Sequence, residues 1–308
     1  MNFDLTEDQE ALRDGIRSLC TGRFAIERVR QGFDAGMHAE LGATGVYSLR
    51  ADGFGWADAA IAFGELGRAL VPGPLVWSHL AHGVVDGIAT GIERPAPGEP
   101  TVLEHLGASD AVLVLDAEGV ESIAVADIMA AKPLDWPLDP LTPVHTADGL
   151  PRGTRVGDAT LAATWWVGGA LLTSAIQTGI AQACVDAATA YSFERQQFDR
   201  PIGSFQAVKH LLADMAVRAE VARVAVDAAA CTLDDDGLGD VTRAVSGARL
   251  LAGEAALKNA KGSLQVHGGM GFTWEVDVHL FLKRAWVLNT AFGSPVEHAD
   301  ALAARLPR

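Results

Sequence analysis

The feature that most constrains this chain is the run Leu161 to Val185, which contains no Asp, Glu, Lys, Arg or His. A segment that long and uncharged can cross a bilayer, or it can fill the middle of a large helical core. Its polar residues (Thr164, Thr173, Ser174, Gln177, Thr178 and Gln182) and its weak basic flanks favour the core. A helix that is apolar all round needs neighbours on every side. The surrounding sequence must therefore supply a bundle.

It offers one. The uncharged helix reads on through Tyr191 to Glu194 and is followed by a turn, Asp199-Arg-Pro-Ile-Gly203. Phe205 to about Leu233 and Val241 to Val266 read as two further long helices, separated by the loop Asp234–Gly239. A final helical region follows His267-Gly-Gly-Met-Gly271. Long helices on short loops predict a C-terminal four-helix bundle over 158–308.

Upstream, Thr6-Glu-Asp-Gln9 has the form of a capping box, and Leu12, Ile16 and Leu19 follow at helical spacing. Ala59 to Leu70 repeats the helical pattern and Val71-Pro-Gly-Pro74 stops it. Val76 to about Ile88 predicts another helix, so 1–95 is expected to be an N-terminal helical domain. Glu93 to Pro100 reads as a linker. In 96–157, Ala111–Asp116 and Val120–Ala126 are β-like runs around a hairpin turn at Ala117–Gly119. Pro133, Pro137, Pro140 and Pro143 then exclude long regular structure. The expected fold class is mainly α, with a shortened β-containing middle. A parallel sheet, or a full seven- or eight-stranded barrel in that middle, would contradict this plan.

Hydrophobic residues make up 49% of the chain and charged residues 20%, which rules out disorder over most of it. With 39 Asp and Glu against 24 Lys and Arg, the net charge of −15 argues against a general nucleic-acid or membrane-surface role. Cys20, Cys184 and Cys231 lack metal-ligand or disulfide-framework spacing, so a reduced cytoplasm is the simplest compartment and no metal is expected. The acidic N-terminus is unlike an export signal.

Two segments could carry chemistry. In Glu194-Arg-Gln-Gln-Phe-Asp-Arg-Pro-Ile-Gly-Ser-Phe-Gln206, an Arg and several amides flank a rigid turn that opens a new helix. Free N–H groups there attract anions, and Arg195 could add a forked donor for a diphosphate. Taken alone, the segment reads more readily as a polar loop whose Arg pairs with neighbouring acids. In Gln265-Val-His-Gly-Gly-Met-Gly271, the glycines permit close ligand approach or positive φ. Alone, that segment is more often a helix cap and turn. His267 has no acid or Cys at useful spacing, which favours packing or backbone bonding. No serine lies in a GxSxG elbow.

In combination, RQQFDRPIGSFQAVKHLLADM and QVHGGMGFTWEVDVHLFLKRA resemble the C-terminal helical domain of the acyl-CoA dehydrogenase family. LTEDQEALRDGIRSL and FGELGRALVPGP resemble its N-terminal helical domain. The resemblance implies an FAD that oxidises an acyl-CoA thioester: a Glu removes the α proton and hydride leaves the β carbon for flavin N5. It also implies that one subunit grips the ADP part of an FAD held mainly by its neighbour. The matching residues are Arg195, Phe198 and Gln206, with Gln265, Gly268 and Gly269 beside them.

The sequence departs from the family in three places. No TEPxxGSD-like flavin-ring segment is found. The commonest position of the Glu, counted forward from the Gln of QxxGGxG, falls on Phe292. The alternative position, counted back from the FAD-gripping Arg, falls on Gly169, and Ile176 lies two turns further along that face. None of these can abstract a proton.

The chain thus resembles the short subunit of heteromeric acyl-CoA dehydrogenases from steroid-degrading actinobacteria. The resemblance implies no catalytic residue here, a full-length partner subunit that carries the acyl-CoA substrate in an α2β2 assembly, and an electron-transfer flavoprotein or similar acceptor. The rival readings are a self-sufficient homomer with a base relocated to Glu275, Glu65 or Glu104, and a non-catalytic CoA-thioester-binding or scaffold protein.

Overall fold

A computed structural model describes residues 4–96, 98–128 and 131–305. The chain divides into two compact units, one from the described parts of 1–26, 56–71 and 170–308, the other from those of 27–55 and 72–169.

In the first unit, α1 (Glu7–Arg23) starts at the expected capping box. The Gln9 N–H donates to Thr6 Oγ1, and the Thr6 N–H donates back to Gln9 Oε1, each at 3.2 Å. Arg17 makes a forked ion pair with Glu65 on α4 (Trp56–Arg68), at 2.9 and 2.6 Å, joining the two helices. The N-terminus of α4 is capped from a distance. Both Asp234 oxygens accept from it, the Trp56 N–H at 2.7 Å and the Ala57 N–H at 2.9 Å.

The uncharged run forms α6 (Ala159–Glu194), which belongs to this unit from Ala170 onward. Its most apolar stretch has mean hydropathy 1.3, enough to cross a membrane, yet 61% of that stretch is buried within the protein. The unit also holds α7 (Gln206–Asp234), α8 (Val241–His267), α9 (Val278–Leu288) and α10 (Pro295–Ala303), with α8 packed against the other three. The long helices α6, α7 and α8 lie where the sequence predicts them.

The tightest packing is where α4 crosses α6. A Cβ at Gly179 of α6 would collide with the Gly64 carbonyl, and one at Gly67 of α4 would collide with the Ile176 backbone. Two helix backbones touch here because neither carries a side chain at the contact.

The second unit holds α2 (Ile26–Val29) but for its first residue, α3 (Ala35–Ala43), α5 (Leu75–Ala81) and seven short strands. The strands are β1 (Ala89–Glu93), β2 (Thr101–Glu104), β3 (Ala111–Asp116), β4 (Gly119–Ala124), β5 (Lys132–Pro133), β6 (Val144–Ala147) and β7 (Thr154–Asp158). They form one sheet in the order β1-β3-β4-β7 and another in the order β2-β6-β5. Leu103, Leu106, Val112, Val114, Ile123 and Ile128 fill the core of this part. The hairpin β3–β4 matches expectation.

Several expectations need correction. The helix read from Val76 to Ile88 ends at Ala81, because Gly83 and Gly87 take positive φ of 76° and 81° and turn the chain into β1. The stretch read as a linker at Glu93 contains a strand end and an anchored Arg94, bonded to Asp116 at 2.9 Å and Glu121 at 2.7 Å. Seven strands form among the described residues where two runs were legible, and β1 pairs with β3 in parallel. That pair sits in an otherwise antiparallel set, and the strands make two small sheets, which agrees with the expectation that the middle would not be a full barrel.

His38 and His79 are two of the buried histidines of this unit. The Tyr47 hydroxyl is 2.9 Å from His38 Nδ1, and Ser78 Oγ is 3.1 Å from His38 Nε2. Ser78 gives its own proton to the Pro74 carbonyl, so Nε2–H donates to Ser78 and the Tyr47 O–H donates to Nδ1. Nδ1–H of His79 donates to the Val46 carbonyl at 3.1 Å. Burial pushes both rings down to about 4.

Gly179→Ala should destabilise the first unit by about 3 kcal/mol, because backbone cannot yield as a flexible side chain can; a fall in the urea midpoint would show it. The unfolded histidines titrate near 6.5 and the folded ones near 4, so the stability they contribute is complete above pH 6.5 and lost as pH falls toward 4. The loss should be on the order of 3 kcal/mol per ring over that whole window. Urea midpoints measured between pH 7.5 and 5 should decline, and a flat profile would refute the assignment.

Candidate functional site

All six motif residues lie in the first unit. As α6 ends, the Arg195 N–H still donates to the Tyr191 carbonyl at 2.9 Å, and the Arg195 carbonyl accepts from Ile202 N–H at 2.8 Å. Between them a small hairpin forms, β8 (Gln196–Gln197) against β9 (Arg200–Pro201). Its two tip residues, Phe198 and Asp199, have φ of 55° and 60°. Positive φ at both central positions is the requirement of a type I′ turn, which usually selects Asn and Gly. Here it holds an aromatic ring out in solvent: Phe198 is 86% exposed. Its edge meets Phe205 at 6.1 Å, and Arg200 lies 4.1 Å over the Phe205 ring.

The α7 helix then begins at Gln206. Phe205, at the cap position, offers no side-chain acceptor, and the first turn contains no acid. The opening N–H groups of this long helix therefore keep their partial positive charge for an external anion. Gln206 is exposed, with Nε2 2.9 Å from His210 Nε2. Arg195 is exposed too, and among the described residues no acid pairs with it. The plain alternative, a loop Arg neutralised by its neighbours, does not match this geometry.

At the end of α8, Gly268 takes φ 61° and its N–H closes the helix on the Gln265 carbonyl. Gln265, Gly268 and Gly269 are all exposed, and a Cβ on either glycine would meet nothing within 4 Å. Only Gly268 needs its freedom for backbone conformation; the space over Gly269 is open.

The two segments meet through a pair absent from the predicted site residues. Tyr191 and His267 stack with centroids 4.2 Å apart and planes 22° apart. Tyr191 precedes Arg195 by one helical turn and His267 directly precedes Gly268, so this stack brings both motifs to one end of the bundle. The signal in the sequence is two aromatic rings at the ends of two predicted helices, which specifies no partner. Phe193, Phe198, Phe272 and Trp274 are 70%, 86%, 77% and 62% exposed.

The expected base positions are elsewhere. Phe292 is buried at φ 51°, and its carbonyl accepts from His298 Nε2–H at 2.9 Å. The other ring nitrogen of His298 accepts from Ser246 at 3.1 Å, and burial holds the ring's pKa below its ordinary value. The neighbouring carbonyls of Leu288 and Ala291 accept from Arg249, which also donates to Gln177. This turn is firmly built but carries no carboxylate. Gly169 and Ile176 are buried in α6. Of the relocated-base candidates, Glu65 is bonded to Arg17, Glu275 is exposed, and Glu104 is half-buried in β2.

Comparison with known proteins agrees with the fold and the motifs. The family described as acyl-CoA dehydrogenase, C-terminal domain, matches residues 166–306. Acyl-CoA dehydrogenase IpdE2 of Mycolicibacterium smegmatis is 33% identical over 98% of this chain and 100% of its own length. Acyl-CoA dehydrogenase FadE34 of Mycobacterium tuberculosis is 33% identical over 91% of this chain, but over only 45% of its own length. Among solved structures, the ChsE4-ChsE5 complex from Mycobacterium tuberculosis superposes with a TM-score of 0.85 at 23% identity, covering 100% of both chains. The chain belongs to the acyl-CoA dehydrogenase family. The cofactor of that family is FAD. The residues present suit the diphosphate of such a cofactor: an exposed Arg that no described acid pairs with, a bare helix N-terminus and open backbone at Gly268 and Gly269.

Because the Arg195 guanidinium has no partner among the described residues, Arg195→Ala should leave the stability of the protein within about 0.5 kcal/mol of wild type. Calorimetry checks this, and a larger loss would mean that Arg195 serves the fold.

Proposed function

We propose that this chain is the non-catalytic subunit of a heteromeric, FAD-dependent acyl-CoA dehydrogenase, and that it contributes the ADP half of a shared FAD site. Arg195, the α7 N-terminus and the Gln265–Gly269 backbone grip the diphosphate region, with Phe198 and Gln206 beside it. A longer dehydrogenase subunit supplies the flavin-ring contacts and the base, and binds the acyl-CoA. Two of each chain make an α2β2 assembly, which works in the cytoplasm and passes electrons to an electron-transfer flavoprotein or similar acceptor. The resemblance to short subunits from steroid degraders suggests a steroid-derived acyl group.

The observation that carries this reading is the absence of a carboxylate at the expected base positions, combined with an exposed Arg195 beside a helix start that has no side-chain cap. A buried Phe292 cannot take the α proton, and neither can Gly169 or Ile176. A subunit that grips FAD without a base has a use only if a neighbour completes the site. The length of FadE34 supports this, since more than half of that relative lies beyond the match. So does the exposed aromatic face around the motifs, which a partner would cover. Against a relocated base, Glu65 is already held by Arg17.

Two outcomes are expected. Arg195→Ala should weaken FAD retention by roughly 1.5–3 kcal/mol, the worth of a hydrogen bond to a charged group; unchanged flavin occupancy would exclude the grip. Turnover of a panel of acyl-CoA thioesters should require this chain and its partner together. If this chain alone matched the mixture, it would be a complete enzyme.

A further inference from the structure

A cavity of about 1010 Å3 opens in the second unit, to which none of the motif residues belongs. Its walls come from α3, α5, the start of β3, β4 and the approach to β7. Ala39, Ala81, Val85, Ile123 and Val156 line it with hydrocarbon. Tyr47 and Ser78, also on the wall, have given their protons to His38 and the Pro74 carbonyl, so their oxygens keep only lone pairs.

Three carboxylates, those of Asp86, Asp110 and Asp127, stand around the cavity, and no cation pairs with them among the described residues. Asp110 is fixed in place. Its Oδ2 accepts from the Ile88 N–H at 2.8 Å. Gly87, at φ 81°, leaves it the room, since a Cβ there would come within 2.3 Å of that oxygen. Only His82 and Arg152 bring basic side chains to the wall, and Arg152 already donates to the buried Glu121 at 3.3 Å.

This lining selects its occupant by charge. Unpaired carboxylates repel a phosphate or a CoA thioester. A single metal ion does not suit the cavity, because no three His, Cys, Asp or Glu side chains converge as ligands among the described residues. A second copy of this chain would bring another net charge of −15. A small free cation would leave the hydrocarbon uncovered in a space at the upper end of small-molecule pockets. A Lys or Arg side chain meets both needs, with its stem on apolar surface and its head at a carboxylate.

We propose that this cleft is a docking surface for the longer dehydrogenase subunit, which inserts a Lys- or Arg-bearing segment. Its apolar residues lie on Ala81, Ile123 and Val156, and its cationic heads meet Asp86, Asp110 and Asp127. The proposal rests on the heteromer reading above and adds a surface through which the second unit meets the partner.

The test is hydrogen exchange on this chain alone and on its purified complex with the longer subunit. Amides of 83–88 should exchange about tenfold more slowly in the complex. Unprotected amides there would overturn the proposal. So would the same protection in a self-associated sample of this chain, since the occupant would then be a second copy. The double variant Asp86→Lys, Asp127→Lys reverses two charges and leaves Asp110 to hold Ile88. It should raise the Kd between the unlike chains about tenfold and flatten its dependence on salt. An unchanged Kd would refute the docking surface. Should the double variant fail to fold, exchange in the wild-type complex gives the answer. If the two chains do not associate at all, the heteromer reading falls and this proposal falls with it. If they associate and the cleft stays unprotected, only this proposal falls.

Discussion

The first unit depends on the crossing of α4 and α6, where backbone meets backbone at Gly64, Gly67 and Gly179. A helix without charge from Leu161 to Val185 must be covered on every side, and at this point only glycine lets the cover come close enough. The crossing has two effects along α6. It brings the backbone of Ile176, a residue on the face of one expected base position, against Gly67 of α4, and the Ile176 side chain itself is buried. It also fixes the direction in which α6 leaves the bundle, and with it the place of Tyr191 and Arg195.

At that end of the bundle the unit changes character. Instead of closing off its polar groups, the chain leaves them open: among the described residues, an Arg without an acid, a helix without a side-chain cap, glycines with empty space above them, and aromatic rings in water. Each would be a defect in an isolated chain. Together they suit half of a site whose remainder is supplied from outside. The turn at Leu288–Phe292 shows the contrary pattern. There Arg249 and His298 satisfy the backbone carbonyls, and Phe292 fills the space with hydrocarbon. The end that carries the motifs is open, and the position where a base was expected is filled.

What the sequence disclosed follows from how local each signal is. The Thr6–Gln9 box, the lengths of α6, α7 and α8, and the β3–β4 hairpin depend on residues a few positions apart, and they were legible. The other strands were not. β1 contains Thr90 and Gly91, β7 is mostly polar, and both gain order only from distant partners, which no short-range alternation announces. The helix read through Ile88 failed because two glycines outweighed the apolar spacing. The motif residues could be picked out one by one, but the ring stack that unites them joins positions far apart in the chain. The fold could therefore be drawn with its β part too thin, and the candidate site named without the contact that assembles it.

A chain that owns half of a flavin site must share each flavin with a neighbour, and counting flavin decides whether it does. The purified complex should be resolved into its chains, each quantified by amino-acid analysis, and the FAD released on denaturation measured against them. One FAD is expected for each pair of unlike chains, and none retained by this chain when it is purified alone. One FAD per chain, or a yellow preparation of this chain by itself that bleaches with acyl-CoA, would contradict it.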